Sequence, residues 1–269
     1  MISFAVGANT LTLNGPTIAG TPANLTTTSG SSLVYGGGSS GVNVPSSVTA
    51  LNGLTINNAN GVTLNSSPTV GGTLTLTSGK VQAGGNTLTV SAAGAVSGGN
   101  SGSYVNGALQ KGFNTGSGQT FTFPIGDATV YAPVLLTNLD VTGADVLAAT
   151  TSSNQHPQIA TSGINPAKDV KRYWTLTPGG GLTVSAYDAT FDYAVGDVIG
   201  GANPASFIVQ RYSGGTWATA TTGTLTATSS QATGLSSFGD FAVGEVVGGG
   251  GPTPTGSSIA TTSRSPSAR

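Results

Sequence analysis

Along the first hundred residues, short runs alternate threonine with an aliphatic side chain after a small residue. The runs are Asn9-Thr-Leu-Thr-Leu13, Gly53-Leu-Thr-Ile56, Gly61-Val-Thr-Leu64, Gly72-Thr-Leu-Thr-Leu-Thr77 and Asn86-Thr-Leu-Thr-Val90. A period of two puts Leu74 and Leu76 on one face and Thr73, Thr75 and Thr77 on the other, the pattern of a strand with one buried face. Gly, Asn and Ser fill the gaps, where turns need positive φ or side-chain hydrogen bonds to the backbone. From Leu54 onward the runs return too closely for helical crossovers. Two architectures fit, an antiparallel sandwich or a β-solenoid of short strands stacked rung upon rung. The recurrence of one motif and asparagines at corner positions (Asn57, Asn58, Asn65, Asn86) favour the solenoid over residues 1–100. No fixed period of twenty-odd residues is legible.

The texture changes between Gly98 and Gly107. Longer alternating segments follow at Tyr104–Gln110, Gln119–Pro124, Ala132–Leu139, Asp145–Thr150, Arg172–Thr177, Leu182–Tyr193, Ser206–Tyr212, Thr216–Thr221, Gly223–Ser229 and Asp240–Val247. Ser213-Gly214-Gly215 reads as a hairpin turn. That many closely spaced strands predict an antiparallel β-sandwich over residues 101–247. His156–Lys171, with Pro157 and Pro166, reads as a long loop over one end. Residues 248–269 have the Gly/Pro/Ser/Thr composition of a flexible tail. The expected fold class is therefore all-β: a solenoid-like parallel β-helix segment, then a sandwich.

Charge sharpens the picture. Of 269 residues only 8 are Lys or Arg and 9 are Asp or Glu, and none of these precedes Lys80. Ordinary domains carry about 25% charged residues. A net charge of −1 with scattered cations supplies no basic stripe for nucleic acid. The 72 serines and threonines give the uncharged strands a hydroxyl surface instead. Zero cysteines removes disulfides, thiolate metal sites and cysteine nucleophiles. No run of about 18 apolar residues offers a membrane-spanning helix. Met1 leads into Ile-Ser-Phe-Ala-Val-Gly with neither a basic segment nor an apolar core, so no export signal is expected in this chain.

Candidate chemistry is sparse. His156 is the sole histidine and sits beside Pro157, so it reads as a turn residue rather than a catalytic one. Asp188, Asp192 and Asp197 lie close in sequence. The first two share a strand face roughly 13 Å apart, too far for acid–base work, which leaves a solvated face ahead of a calcium contact. Glu245 is the only glutamate, and Asp240-Phe241 reads as a turn into the last strand. Asn24-Leu-Thr26 and Asn65-Ser-Ser67 match glycosylation sequons but read as corner asparagines. No catalytic, cofactor or metal residues are therefore expected. Two surface features carry alternatives. Stacked on successive rungs about 4.8 Å apart, Thr10, Thr12, Thr73, Thr75, Thr77, Thr87 and Thr89 would form an ice-binding type of array, although Thr is also simply a good residue for an exposed strand. Trp217 and Tyr212, with Trp174 and Tyr173, could form a glycan-stacking platform, but the alternation of Trp174 with Leu176 and the hairpin position of Trp217 favour core packing.

The phrases GVTLNSSPTVGGTLTLTSGKVQAGGNTLTV (61–90), YVNGALQK (104–111), FTFPIGDATVYAPVLLT (121–137), HPQIATSGINPAKDVKRYWTLT (156–177) and SSFGDFAVGE (236–245) resemble large secreted surface proteins of the Bacteroidetes type. The resemblance implies an extracellular, multi-repeat adhesin or matrix component, of a kind exported by a C-terminal sorting domain through the type IX pathway. The tail ending Ser-Arg-Ser-Pro-Ser-Ala-Arg does not resemble such a sorting domain. The expected role is a non-enzymatic structural or adhesive module at the cell surface, its partners a glycan, extracellular matrix, or neighbouring repeats or copies. A carbohydrate-binding module and an ice-binding solenoid are the alternatives.

Overall fold

The period-two runs become rungs of a parallel β-solenoid. In the computed structural model, which describes residues 3–15 and 22–248, Thr10–Leu13, Ser32–Tyr35, Ala50–Asn57, Thr69–Ser78 and Ala95–Gly98 stack side by side in parallel. The register pairs Leu11 with Leu33, Leu33 with Leu54, Leu54 with Leu74 and Leu74 with Val96. One turn therefore takes 22, 21, 20 and 22 residues in succession. A second face stacks Val62, Val81, Val105 and Ile125, and a third stacks Leu51, Val70, Val90 and Lys111. Phe4–Ala5 pairs with Leu25–Thr26 in a separate parallel ladder. The whole makes about six turns.

The inward columns are apolar, and Leu33, Leu54, Leu74, Val70, Val90 and Val81 are completely buried. Each such side chain contributes about 1.5–3 kcal/mol on leaving water. Corners are closed by polar side chains reaching one turn along the stack. Buried Asn58 donates from Nδ2 to Ser39 O at 2.8 Å and accepts from the Asn60 N–H at 3.1 Å. Asn86 donates to Leu64 O at 2.8 Å. Gly79, at φ 82°, passes so close to Asn58 O that no Cβ fits there. At the far end of the third column Lys111 replaces an aliphatic residue. Its ammonium donates to the carbonyls of Ser91, Ala92 and Gly94 at 2.6, 2.9 and 2.8 Å, using all three of its protons.

The sandwich grows out of the solenoid. Val105–Phe113 pairs in parallel with Val81–Val90 on one side and antiparallel with Asp145–Ser152 on the other. The same sheet continues through Ile164–Pro178, Gly239–Val246, Phe207–Ser213 and Thr216–Thr219. A second antiparallel sheet, in the order Gly116–Phe123, Val134–Gly143, Thr183–Asp192, Ser229–Leu235, Thr221–Leu225, lies against it. Trp174, Phe191 and Phe241 fill the space between them, with ring centroids 5.2 Å (Trp174–Phe191) and 4.8 Å (Phe191–Phe241) apart. One apolar cluster runs without a break from Val6 through the solenoid to Val243.

Two sequence expectations change. The boundary at 100/101 falls inside the stack, because parallel pairing continues through Val105–Asn106 to Ile125–Gly126. The expected loop 156–171 shrinks to 153–163, since Ile164–Lys171 already belongs to a strand. That strand breaks register with Gly239–Val246 on either side of Asp169, and Pro166, which has no N–H to donate, lies in the interrupted stretch. Gly244 makes the break possible: a Cβ there would stand 2.6 Å from that of Asp169. The hairpin turn forms as read, with Gly214 and Gly215 at φ 57° and 86°, the handedness two-residue loops need. Residues 249–269 of the expected tail lie outside the described residues.

Candidate functional site

The sequence-predicted residues fall into one assembled cluster and several dispersed positions. The cluster follows from antiparallel register, which puts directly paired residues on the same face. Thr150 pairs with Thr175, Thr175 with Asp240, Asp240 with Tyr212, and Tyr212 with Trp217, forming one row across five strands. This row faces away from the sandwich core, and residues 153–163 fold over it.

His156 comes from that loop and is almost fully buried on the row, 4% exposed. Its Nε2 lies 3.0 Å from Asp240 Oδ2, and its Nδ1 accepts the Gln158 N–H at 3.1 Å. An accepting Nδ1 places the proton of the neutral ring on Nε2, directed at the carboxylate. Asp240 accepts a second hydrogen bond from Thr175 Oγ1 at 2.7 Å. Tyr173, Tyr212 and Trp217 surround the imidazole at 5.1, 4.8 and 4.8 Å between centroids. The Trp217 indole N–H is taken up by Gln158 O at 3.1 Å and Thr161 Oγ1 at 3.2 Å.

The arrangement contains an Asp–His pair, but both imidazole nitrogens are engaged within the fold. No nitrogen is left to take a proton from a nucleophile, the step that acid–base catalysis requires. The cluster is a clasp that holds the loop on the sheet. Asp240 was the partner not foreseen for His156, because it lies 84 residues away; only the pairing of Ile164–Pro178 with Gly239–Val246 brings the two together. Tyr212 and Trp217 are half-buried, and the indole N–H of Trp217 is spent on the loop. Trp174 is an inward core residue, wholly buried, donating to Ala132 O at 3.1 Å.

His156→Ala is expected to lower stability by about 2 kcal/mol, from one charge-assisted and one neutral hydrogen bond plus lost packing. It should also make the 153–163 segment the first site of limited proteolysis. Unchanged protease resistance would show that the loop is held by other means.

The aspartates serve separate tasks. Asp188 accepts from Asn138 Nδ2 at 2.8 Å and the Gly234 N–H at 2.9 Å. Asp197 pairs with the buried Arg172, whose Nε is 2.9 Å from its Oδ2. Among the described residues no group of three or more His, Asp or Glu side chains is placed to hold a metal. Lys168 and Glu245 form an ion pair at 3.5 Å, and Glu245 also accepts the Asn203 N–H at 2.7 Å. No helix among the described residues is long and apolar enough to cross a membrane.

The seven threonines do not form one continuous array, although Thr75 stacks between Thr55 and Ser97 and Thr89 stacks on Thr69. Thr10 is followed along its column by Ser32, Gly53, Thr73 and Ala95, and Thr12 by Val34, Thr55, Thr75 and Ser97. Thr77 sits where the register slips between Ile56 and Asn57. Thr87 and Thr89 pair with Ala108 and Gln110 in another ladder, and Thr89 also pairs with Thr69. The hydroxyl rows are thus interrupted by alanine, glycine and valine. Compared with known proteins, the chain matches no family model, no curated protein and no solved structure.

Proposed function

We propose that this chain is a non-enzymatic structural or adhesive module of a surface protein, extracellular in setting, which presents an uncharged hydroxyl- and amide-rich β surface. The observation that carries this reading is the continuous sheet. A single hydrogen-bonded path leads from Thr10–Leu13, at one end of the solenoid, to Thr216–Thr219 at the outer edge of the sandwich. The apolar core follows the same path, so the two halves resist separation as one body. The polar clusters support the reading in another way. His156–Asp240 pins a loop, Arg172 joins Asp127 of the last solenoid turn to Asp197, and Lys111 closes a corner. Their chemistry is used for internal cohesion.

Among the described residues Thr10–Leu13 pairs on one side only, and the strand itself carries no charged residue or proline. Open edges of this kind favour association with further turns or another copy. The resemblance to repeat-rich Bacteroidetes surface proteins agrees with that use. Surface-immobilised protein is expected to retain cells, matrix polymer or further copies of itself. Placing lysine at Thr10 and at Thr12, the two exposed positions of this strand, should weaken self-retention while leaving the fold intact. A chain that stays monomeric at high concentration and adheres to none of these surfaces would overturn the proposal.

A further inference from the structure

A cleft of about 720 Å³ opens where the solenoid meets the sandwich, and both of its walls are strand edges. One wall is Ala95–Gly98, the last rung of the first solenoid face, which among the described residues pairs only with Thr73–Leu76. The other is Gly116–Phe123, the terminal strand of the second sandwich sheet, which among the described residues pairs only with Val134–Gly143. Elsewhere the solenoid passes its rungs on to the sandwich. Here it does not.

The orientation of the first edge follows from its hydrogen bonds. Gly99 N–H donates to Leu76 O at 3.3 Å. Along a parallel ladder successive residues direct their backbone groups alternately to one side and the other. Ala95 and Ser97 therefore spend theirs on Thr73–Leu76, and Val96 and Gly98 direct theirs into the cleft. Such a row of N–H and C=O groups is best matched by another backbone, whose own groups repeat every 6.6–6.8 Å or so along an extended chain. The edge is four residues long, roughly 13 Å at the usual strand rise. At one end the cleft is shut by close packing of Gly99 on Pro124, where an added Cβ would stand 2.7 Å from the proline ring.

The lining sets the side-chain chemistry. Val96, Phe113 and Phe121 supply apolar surface, and Gln119, Thr120 and Thr122 supply amide and hydroxyl groups. Lys111 is the only charged residue in the lining, and its three protons are already held by the Ser91, Ala92 and Gly94 carbonyls. No proton of that ammonium remains free to bind an anionic group. We propose that this cleft is a strand-addition site for an extended, uncharged polypeptide segment in which aliphatic and hydroxyl side chains alternate. An inserted strand of this kind would pair with the solenoid edge and bring the two sheets together. Thr73–Leu76, already seated on the opposite side of the same rung, shows the complementary chemistry. The site goes beyond the adhesive reading, because it assigns a peptide ligand to one defined cleft and does not depend on adhesion by the rest of the surface.

The test titrates a fluorescein-labelled, end-capped peptide of sequence Gly-Thr-Leu-Thr-Leu-Thr with the full chain and follows polarisation. Saturable binding is expected. The same peptide N-methylated at alternate residues, which removes its pairing N–H groups, should bind at least about tenfold more weakly in one of the two methylation phases. Val96→Pro removes the N–H aimed into the cleft without touching a bond to Thr73–Leu76, and should weaken binding by a similar factor. If this variant does not fold, the methylated peptides decide the matter on the unaltered chain. No saturable binding, or equal binding by both methylated peptides and the parent peptide, would overturn the proposal. Neither result bears on retention of cells or matrix, so the adhesive reading is tested separately.

Discussion

Arg172→Met is expected to destabilise the chain by about 3–5 kcal/mol, the range for breaking a buried ion pair from one side. Arg172 is completely buried at the junction of the two halves. Its Nη2 stands 2.7 Å from Asp127 Oδ2, its Nε 2.9 Å from Asp197 Oδ2, and its Nη1 donates to Thr151 Oγ1 at 3.2 Å. Asp127 belongs to the turn after the last solenoid rung and accepts the N–H groups of Thr129 and Val130 at 2.7 and 2.9 Å. Asp197 accepts the Ala194 N–H at 3.1 Å. Without the guanidinium, two carboxylates would remain close together with no countercharge. Urea unfolding at pH 7 measures the loss directly. Adding Asp127→Asn and Asp197→Asn to the Met variant should recover part of it, because a neutral cluster avoids the unpaired charges. A loss under about 1 kcal/mol would mean that the cluster contributes no more than a surface pair.

The same cluster sets the acid limit of the fold. Burial alone would raise the Asp127 carboxyl, but the Thr129 and Val130 N–H groups and Arg172 outweigh it and hold the group at about 2. A carboxylate depressed from about 3.8 contributes stability above that value, and loses it as the pH falls toward 2. The contribution is about 2 kcal/mol, and it should disappear in Asp127→Asn.

The architecture was legible because alternation is a local signal. Thr73–Thr77 states its inward and outward faces without any knowledge of its neighbours. The turn length was not legible for two physical reasons. Successive turns take 20 to 22 residues, and the second face is built partly from strands as short as Asn43–Val44, which show no alternation. The boundary at residue 100 came from a change in composition, whereas the stack continues because Val105 and Ile125 extend the column of Val62 and Val81. At the site, Trp217 could be placed at a hairpin from Gly214-Gly215 alone. The meeting of His156 with Asp240 depends on long-range register, and Pro166 disguised the strand that creates it. The cleft was hidden for the same reason, since an unpaired edge is a property of what lies beside a strand.

The buried Asp169 is expected to make the fold more stable at mildly acidic pH than at pH 8. Its side chain is 1% exposed and lies in the register break opposite Gly244. One carboxyl oxygen accepts from Gln155 Nε2 at 2.8 Å, and the other has no hydrogen-bond partner among the described residues. The nearby Lys168 is committed to Glu245. Burial raises the Asp169 carboxyl from 3.8 to about 6, although the Gln155 amide opposes the shift. An acid whose folded value is raised binds its proton more tightly in the folded state. The fold therefore loses stability as the pH rises from about 4 to 6 and carries the whole penalty above that, about 3 kcal/mol by linkage. Asp127 acts in the opposite sense below pH 4, so the two together place maximal stability near pH 4–5. Asp169→Asn keeps the shape and the acceptor for Gln155 while removing the charge. It is expected to add about 2 kcal/mol at pH 8, less than the full penalty because its own N–H groups need partners, and to add nothing at pH 4. Urea midpoints of both proteins between pH 4 and 8 decide the matter. A difference that does not change with pH would mean that Asp169 titrates as an ordinary surface carboxylate, its burial offset by contacts other than Gln155.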